Sequence, residues 1–99
     1  MKKYNLVVKE DADQEIIDAY LWYEERSEGL GERFLSCLDE CFETICKNPN
    51  TFQKVHKKVR QAIVSVFPFV VIYEKGDKEV IVYAVFHTSK DPTNWKDKS

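Results

Sequence analysis

Apolar residues in the first half of the chain recur at helical spacing after one short strand-like run. Residues 4–8 are apolar and β-branched, which predicts a strand. Two segments of helical period follow, separated only by the sequence SEGLG, so we expect an antiparallel helical hairpin. Pro49 ends the second helix. The stripe of the first helix is Ala12, Ile16, Ala19, Tyr20 and Tyr23, and that of the second is Leu30, Phe34, Leu38, Cys41, Phe42 and Ile45.

Beyond Pro49 the pattern changes to that of strands. Residues 58–67 alternate between two faces, residues 69–75 are almost continuously apolar, and residues 79–87 form a last apolar run. Turns at Pro68 and at the sequence GDK join these strands in meander order. Residues 51–55, TFQKV, are too short to assign. The elements predict an α+β fold in the order β-α-α-β-β-β, an antiparallel sheet with a helical hairpin packed on one face.

Composition narrows the class of protein further. The chain has 99 residues and a hydrophobic fraction of 43%, which fits one globular domain spanning residues 1–99. The N-terminal apolar run is too short for a signal peptide, and none approaches a membrane span. The three cysteines lie in one helical segment and are expected to be small buried hydrophobes in a reducing compartment. We therefore expect a cytoplasmic protein with no membrane association, no metal and no cofactor.

Charge is divided unevenly along the chain. Residues 10–48 hold twelve acids and three bases, whereas residues 49–99 hold nine bases and five acids. Such asymmetry points to an anionic partner for the basic half, or simply to a solvated surface.

The polar residues near the C-terminus do not form a hydrolytic triad. His87, Ser89 and Asp91 alternate along one strand, which places them about 6–7 Å apart. A nucleophile and its base must lie within ~2.6–3.2 Å. The chain also has no glycine-rich phosphate-binding loop.

Basic residues are the stronger chemical candidates, and they fall in two places. If the strands that carry them are neighbours, the two groups could share one end of the sheet. They could then hold RNA phosphates while a histidine donates a proton to a leaving oxygen. The alternative is an exposed edge that discourages aggregation. The first group is Lys54, His56, Lys57, Lys58 and Arg60, and the second is His87 and Lys90.

Several separated stretches together resemble the RelE/ParE superfamily of bacterial type II toxins. The matching sequences are WYEERSEGLGERF across the helices, NPNTF after them, VRQAIVSVFPFVVIY through two strands, and VFHTSKDPTNW at the end. The resemblance implies that the protein is the toxin of a plasmid-stabilisation system. An antitoxin encoded beside the toxin would neutralise it. The complex would contact operator DNA only through the antitoxin. RelE-like members cleave messenger RNA on the ribosome, and ParE-like members inhibit DNA gyrase.

The resemblance also assigns expected roles to residues. Arg60 matches a strand arginine of the nucleases and His87 could match their terminal acid, so these two would be catalytic if the protein were an endoribonuclease. Apart from the resemblance, the clustering of basic residues predicts that Lys54, Lys57, Lys58 and Lys90 contact the target or nucleic acid. Lys90 stands where arginine is usual in the ending His-x-x-Arg-x-Pro-x-x-Trp, and a lysine cannot make arginine's planar two-pronged contact.

The helical hairpin and the C-terminal ending together favour the ParE-like branch. A gyrase inhibitor is therefore the first expectation, a ribosome-dependent endoribonuclease the second, and an inactive module that binds only its antitoxin the third. Asp91 and Pro92 signal a turn, so the segment after His87 should fold over the sheet with Trp95 as a hydrophobic plug.

Overall fold

The computed structural model describes residues 3–89 of the chain. Strand β1 (Asn5–Val8) leads into helix α1 (Glu10–Arg26) and helix α2 (Leu30–Lys47). Four strands follow: β2 (Gln53–His56), β3 (Val59–Ile63), β4 (Phe69–Lys75) and β5 (Glu79–His87). The predicted helices and strands are confirmed, except that the strand predicted over residues 58–67 extends only from Val59 to Ile63. The ambiguous run after Pro49 contributes β2. Lys90 and the predicted Trp95 plug lie outside the described residues.

The five strands form one sheet in the order β1-β5-β4-β3-β2. Strands β3 to β5 pair antiparallel as predicted, and β2, which was not predicted, pairs antiparallel to β3. Strand β1 pairs parallel to β5, so the sheet is mixed and not antiparallel throughout. The long connection explains this difference. Strands joined by a short turn must run antiparallel, but most of the chain lies between β1 and β5, so these two strands can pair parallel. The two helices return the chain to the start of β1, where Tyr4 N–H donates to Cys46 O (3.0 Å).

The helical hairpin closes at a glycine pair. Gly29 takes a positive φ of 86°, which costs a glycine nothing, and this lets the chain reverse between the helices. Glu24 on α1 accepts the backbone N–H of Gly31 at 2.8 Å and that of Gly29 at 3.3 Å. One carboxylate thus accepts two backbone N–H groups at the start of α2. The N-cap residue, Gly29, has no side chain that could accept them.

The main core lies between the hairpin and one face of the sheet. Tyr23 of α1 and Phe34 of α2 meet Phe67 and Phe69 with ring centroids 4.9–6.1 Å apart. Edge-on and tilted contacts of this kind are favourable for aromatic rings. The predicted apolar stripes therefore face the sheet, apart from Tyr20, which is half-buried and donates its hydroxyl to Glu32 at 3.2 Å. The aromatic cluster fixes the helices over the start of β4, beside the end of β5.

Val66, in the turn between β3 and β4, adopts an unfavourable backbone conformation. Its φ is +75°, a region that β-branched residues rarely enter, and its side chain is 70% exposed.

We expect Val66→Gly to raise the free energy of unfolding by about 0.5–1 kcal/mol, since relief of ~1–2 kcal/mol of strain exceeds the extra chain entropy of glycine. Urea titration followed by circular dichroism measures it. Ser65→Gly, which relieves no strain, should be neutral or destabilising, and a loss of stability in Val66→Gly would contradict the prediction.

Candidate functional site

The predicted lysines lie along one edge of the sheet. Strand β2 is an outer strand, and Lys54 on it faces Arg60 on β3 in the antiparallel register. Lys57 and Lys58 form the two-residue turn that joins these strands, and Lys57 has a φ of 51°. All three lysine side chains are exposed. We call Lys54, Lys57 and Lys58 the basic edge.

Arg60 adjoins the basic edge but points its guanidinium at the protein's own backbone. Its Nη1 donates to Phe52 O at 2.6 Å and to Asn50 O at 3.3 Å, and its Nη2 donates to Asn50 Oδ1 at 3.4 Å. The three acceptors belong to the connection between α2 and β2. Arg60 therefore ties that connection to the sheet and directs much of its hydrogen-bonding capacity inward.

Tyr73 also holds the connection between α2 and β2 in place. Its hydroxyl donates to Pro49 O at 2.7 Å, and its side chain is fully buried. Burial raises the pKa of Tyr73 to about 12, against a smaller lowering by the nearby charge of Arg60. A hydroxyl held in its neutral form and used as a donor is a structural group here and not an acid poised for proton transfer.

His87 lies at the end of β5, on the far side of the sheet from the basic edge. Its ring packs edge-on against Phe69 with centroids 5.4 Å apart. Nδ1 accepts the backbone N–H of Ser89 at 3.1 Å and lies 2.8 Å from Ser89 Oγ. Acceptance of a backbone N–H at Nδ1 favours the tautomer that carries its proton on Nε2.

The structure does not bring Arg60 and His87 together. Arg60 pairs with Tyr73 of β4, whereas His87 pairs with Phe69, four residues away along β4 and on its other side. Strand geometry places the two Cα atoms about 16 Å apart, from ~13 Å along the strands and ~9.5 Å across them. Two residues this far apart do not form one compact site while the Arg60 guanidinium is held at Asn50 and Phe52.

A groove opens between α1 and the end of β5. It has a volume of about 410 Å³ and is lined by apolar and aromatic groups, among them Ala19, Trp22 and Phe69. Glu15 and Asp18 contribute its acidic groups, and His87 and Ser89 line it where β5 ends. The sequence carries no signal for this groove, because the groove depends on how far α1 extends beyond β1.

Glu15, which lines the groove, accepts a hydrogen bond from the backbone of β5. Strand β1 ends at Val8, opposite Val82, so within residues 3–89 no strand neighbours the rest of β5 on that side. Glu15 Oε1 accepts the backbone N–H of Val85 at 2.9 Å and satisfies this open edge. A lone glutamate on a helix carries no sequence signal for such a role, since the contact joins residues seventy positions apart.

Other classes of site find no support in the described residues. Between residues 3 and 89, no group of three His, Cys, Asp or Glu side chains is arranged to hold a metal ion. The three cysteines are free thiols, and burial raises the pKa of Cys41 to about 11, so its thiol is a poor nucleophile. Neither helix in the described part of the chain is long and apolar enough to cross a membrane.

Comparison with known proteins identifies a family and solved structures of similar fold. The family described as the ParE toxin of the type II toxin-antitoxin system parDE matches residues 6–92. A solved structure of the chromosomal ParDE toxin-antitoxin system from P. aeruginosa is similar in fold, with a TM-score of 0.75 and 13% sequence identity. The match covers 86% of this chain and 96% of that one. No curated protein sequence matches the chain significantly.

Proposed function

Since the family match extends over most of its length, this chain belongs to the ParE toxin family of type II toxin-antitoxin systems, and we propose that it acts by inhibiting DNA gyrase and is neutralised by a cognate antitoxin. On this proposal it binds a macromolecular target and cleaves no nucleic acid. The finer assignment to gyrase follows the ParE-like branch, and the arrangement of the candidate nuclease residues supports it.

The separation of Arg60 from His87 is the observation that carries the proposal. Cleavage of RNA by general acid catalysis needs a cation on the phosphate and a proton donor at the leaving oxygen, both at hydrogen-bond distance from one nucleotide. The Cα atoms of Arg60 and His87 are about 16 Å apart. The Arg60 guanidinium is hydrogen-bonded to Asn50 and Phe52. This geometry favours inhibition by binding over cleavage.

Purified protein tests gyrase inhibition against cleavage. We expect loss of DNA supercoiling by gyrase, while messages on translating ribosomes stay intact. Message fragments that disappear with His87→Ala would overturn the proposal in favour of the endoribonuclease. His87 is the better residue to change because its substitution leaves the hydrogen bonds of Arg60 in place. If expression without antitoxin fails to arrest growth, the protein is an inactive antitoxin-binding module.

The basic edge is the surface we propose for the antitoxin. Strand β2 offers one side of its backbone to an added strand, and the exposed side chains of Lys54, Lys57 and Lys58 would attract acidic residues of that strand. Lys90, which lies outside the described residues, stays a predicted contact. Attraction of this kind is screened by salt, so affinity for the antitoxin should fall as ionic strength rises.

Charge reversal at the basic edge tests where the antitoxin binds. We expect the triple variant Lys54→Glu, Lys57→Glu, Lys58→Glu to bind the cognate antitoxin about tenfold more weakly or worse, with a flatter salt dependence, because attraction becomes repulsion. Isothermal titration at several salt concentrations measures both. A Lys75→Glu, Lys78→Glu variant at the turn between β4 and β5 is the control and should bind normally. Equal affinity in the two variants would place the antitoxin elsewhere.

A further inference from the structure

The two outer strands of the sheet, β1 and β2, each have a neighbouring strand on only one side within residues 3–89. On β1, Asn5 donates its backbone N–H inward, to Lys78 O at 2.9 Å. Because hydrogen-bonding groups alternate in direction along a strand, the backbone groups of Leu6 and Val8 point outward. Strand β1 therefore presents an edge that can accept an added strand.

A recess with acidic groups lies beside this edge. It has a volume of about 480 Å³ and lies between β1 and α2, where Leu6, Phe42, Asp39 and Glu43 line it. Both carboxylates are exposed, and that of Glu43 is paired with Lys3 at 2.9 Å. Two acids against one base leave the recess with a net negative charge. A strand added to β1 would therefore place a basic side chain favourably over it.

Strand β2, at the opposite end of the sheet, carries the complementary charge on the matching face. Arg60 pairs with Tyr73, which belongs to the core between the helices and the sheet, so Arg60 lies on the helix side. Lys54 of β2 pairs with Arg60, and paired residues project from the same face of a sheet. Lys54 is therefore on the helix side, as is the recess that α2 lines beside β1.

We propose that copies of this toxin associate head to tail, with β2 of one copy added to β1 of the next and Lys54 over the acidic recess. The strand directions favour this arrangement. One parallel and three antiparallel pairings separate β1 from β2, so the two edge strands run in opposite directions. A second copy with its helices on the same side of the extended sheet would thus pair β1 antiparallel to β2, the commoner kind of pairing.

Charge disfavours the symmetric alternatives. Two β2 edges would bring together the lysines of both basic edges, and two β1 edges would bring together two acidic recesses. Each copy keeps one edge open after pairing, so the association does not close at a dimer. Strands of four residues form a small interface, so the contact should be weak. The inference concerns the toxin alone and does not rest on its target or on where the antitoxin binds.

Sedimentation equilibrium of the full-length chain without antitoxin tests the proposal. We expect a monomer at ~20 µM and a weight-average mass above that of a dimer at ~1 mM, with less association at high salt. The triple variant Lys54→Glu, Lys57→Glu, Lys58→Glu should stay monomeric. Arg33→Glu, an exposed change on α2 that alters the charge in the same direction, should associate like the parent.

Mixing two variants that each lack one edge distinguishes head-to-tail pairing from symmetric pairing. Leu6→Pro removes an outward N–H from β1 and keeps the hydrogen bonds to β5, while β2 stays intact. This variant and the triple lysine variant should each be monomeric alone. An equimolar mixture should form a heterodimer that stops at two chains, and its formation would also show that both variants are folded.

Restoration by charge reversal guards against a folding defect in Leu6→Pro. Adding Asp39→Lys to the triple lysine variant should restore association, because opposite charges then face each other again. Three results would overturn the proposal: a parent protein that stays monomeric at ~1 mM, a lysine variant or Leu6→Pro variant that dimerises alone, or no restoration by Asp39→Lys. Dimers of the lysine variant alone would indicate symmetric pairing through β1, and dimers of Leu6→Pro alone would indicate it through β2.

Discussion

Replacing Arg60 with alanine should lower the free energy of unfolding by about 2–4 kcal/mol, because hydrogen bonds from a charged donor contribute ~1.5–3 kcal/mol each and are not fully additive. Three acceptors would lose their partner: Phe52 O, Asn50 O and Asn50 Oδ1. The connection between α2 and β2 would then be held mainly by Tyr73. Urea unfolding followed by circular dichroism measures the loss.

Lys54→Ala is the matched control for Arg60→Ala. Lys54 pairs directly with Arg60 across the strands but is exposed, so its loss should change stability by less than about 0.5 kcal/mol. Arg60→Lys keeps the charge but loses the planar fork, and should lie between the two. If Arg60→Ala were as stable as Lys54→Ala, the arginine would not be an anchor, and a role in binding phosphate would again be open to it.

Periodicity predicted most of the fold. The stripes of the two helices and the alternation of β3 follow from which residues can be buried together, and that information is local. The order of β3, β4 and β5 was also accessible, because short turns leave antiparallel neighbours as the only simple arrangement. These elements match the structure because burial dominates their energetics.

The parallel pairing of β1 with β5 was not accessible in the same way. Residues 5–8 meet residues 79–82, more than seventy positions away, and no turn sequence fixes the direction of approach. The extent of β1 then decides how much of β5 stays open and why Glu15 is needed at Val85. The groove therefore results from the short length of β1 relative to β5, which the amino-acid composition does not specify.

The roles of Arg60 and His87 separate for a related reason. The sequence placed both on strands of one sheet, and the meander order already set β4 between those strands, but it did not fix the levels of the two residues along them. The observed order puts β4 between their strands and places them at different levels along it. A motif can specify which residue types occur, but the register of the sheet decides whether they can act on one group.

Gly31→Val should destabilise the protein by about 3 kcal/mol or more, since it forces a branched side chain into a closely packed contact. A Cβ atom at Gly31 would lie 2.6 Å from Tyr20 O and 2.7 Å from Glu24 Cγ. The first of these is backbone and cannot move without separating α1 from α2. The same displacement would weaken the hydrogen bond from Gly31 N–H to Glu24.

The effect of Gly31→Val has the opposite sign to that of helix propensity. Gly31 lies in the first turn of α2, and valine favours a helix over glycine, so propensity alone predicts a small gain. A loss of 3 kcal/mol corresponds to a fall in Tm of roughly 12–24 °C in a domain of this size, which thermal unfolding detects readily. Gly76→Val is the control, because a Cβ there would meet Glu79 O only at 3.5 Å. Equal melting temperatures for the two variants would show that the helices can separate freely at Gly31, and that the hairpin does not depend on this close contact.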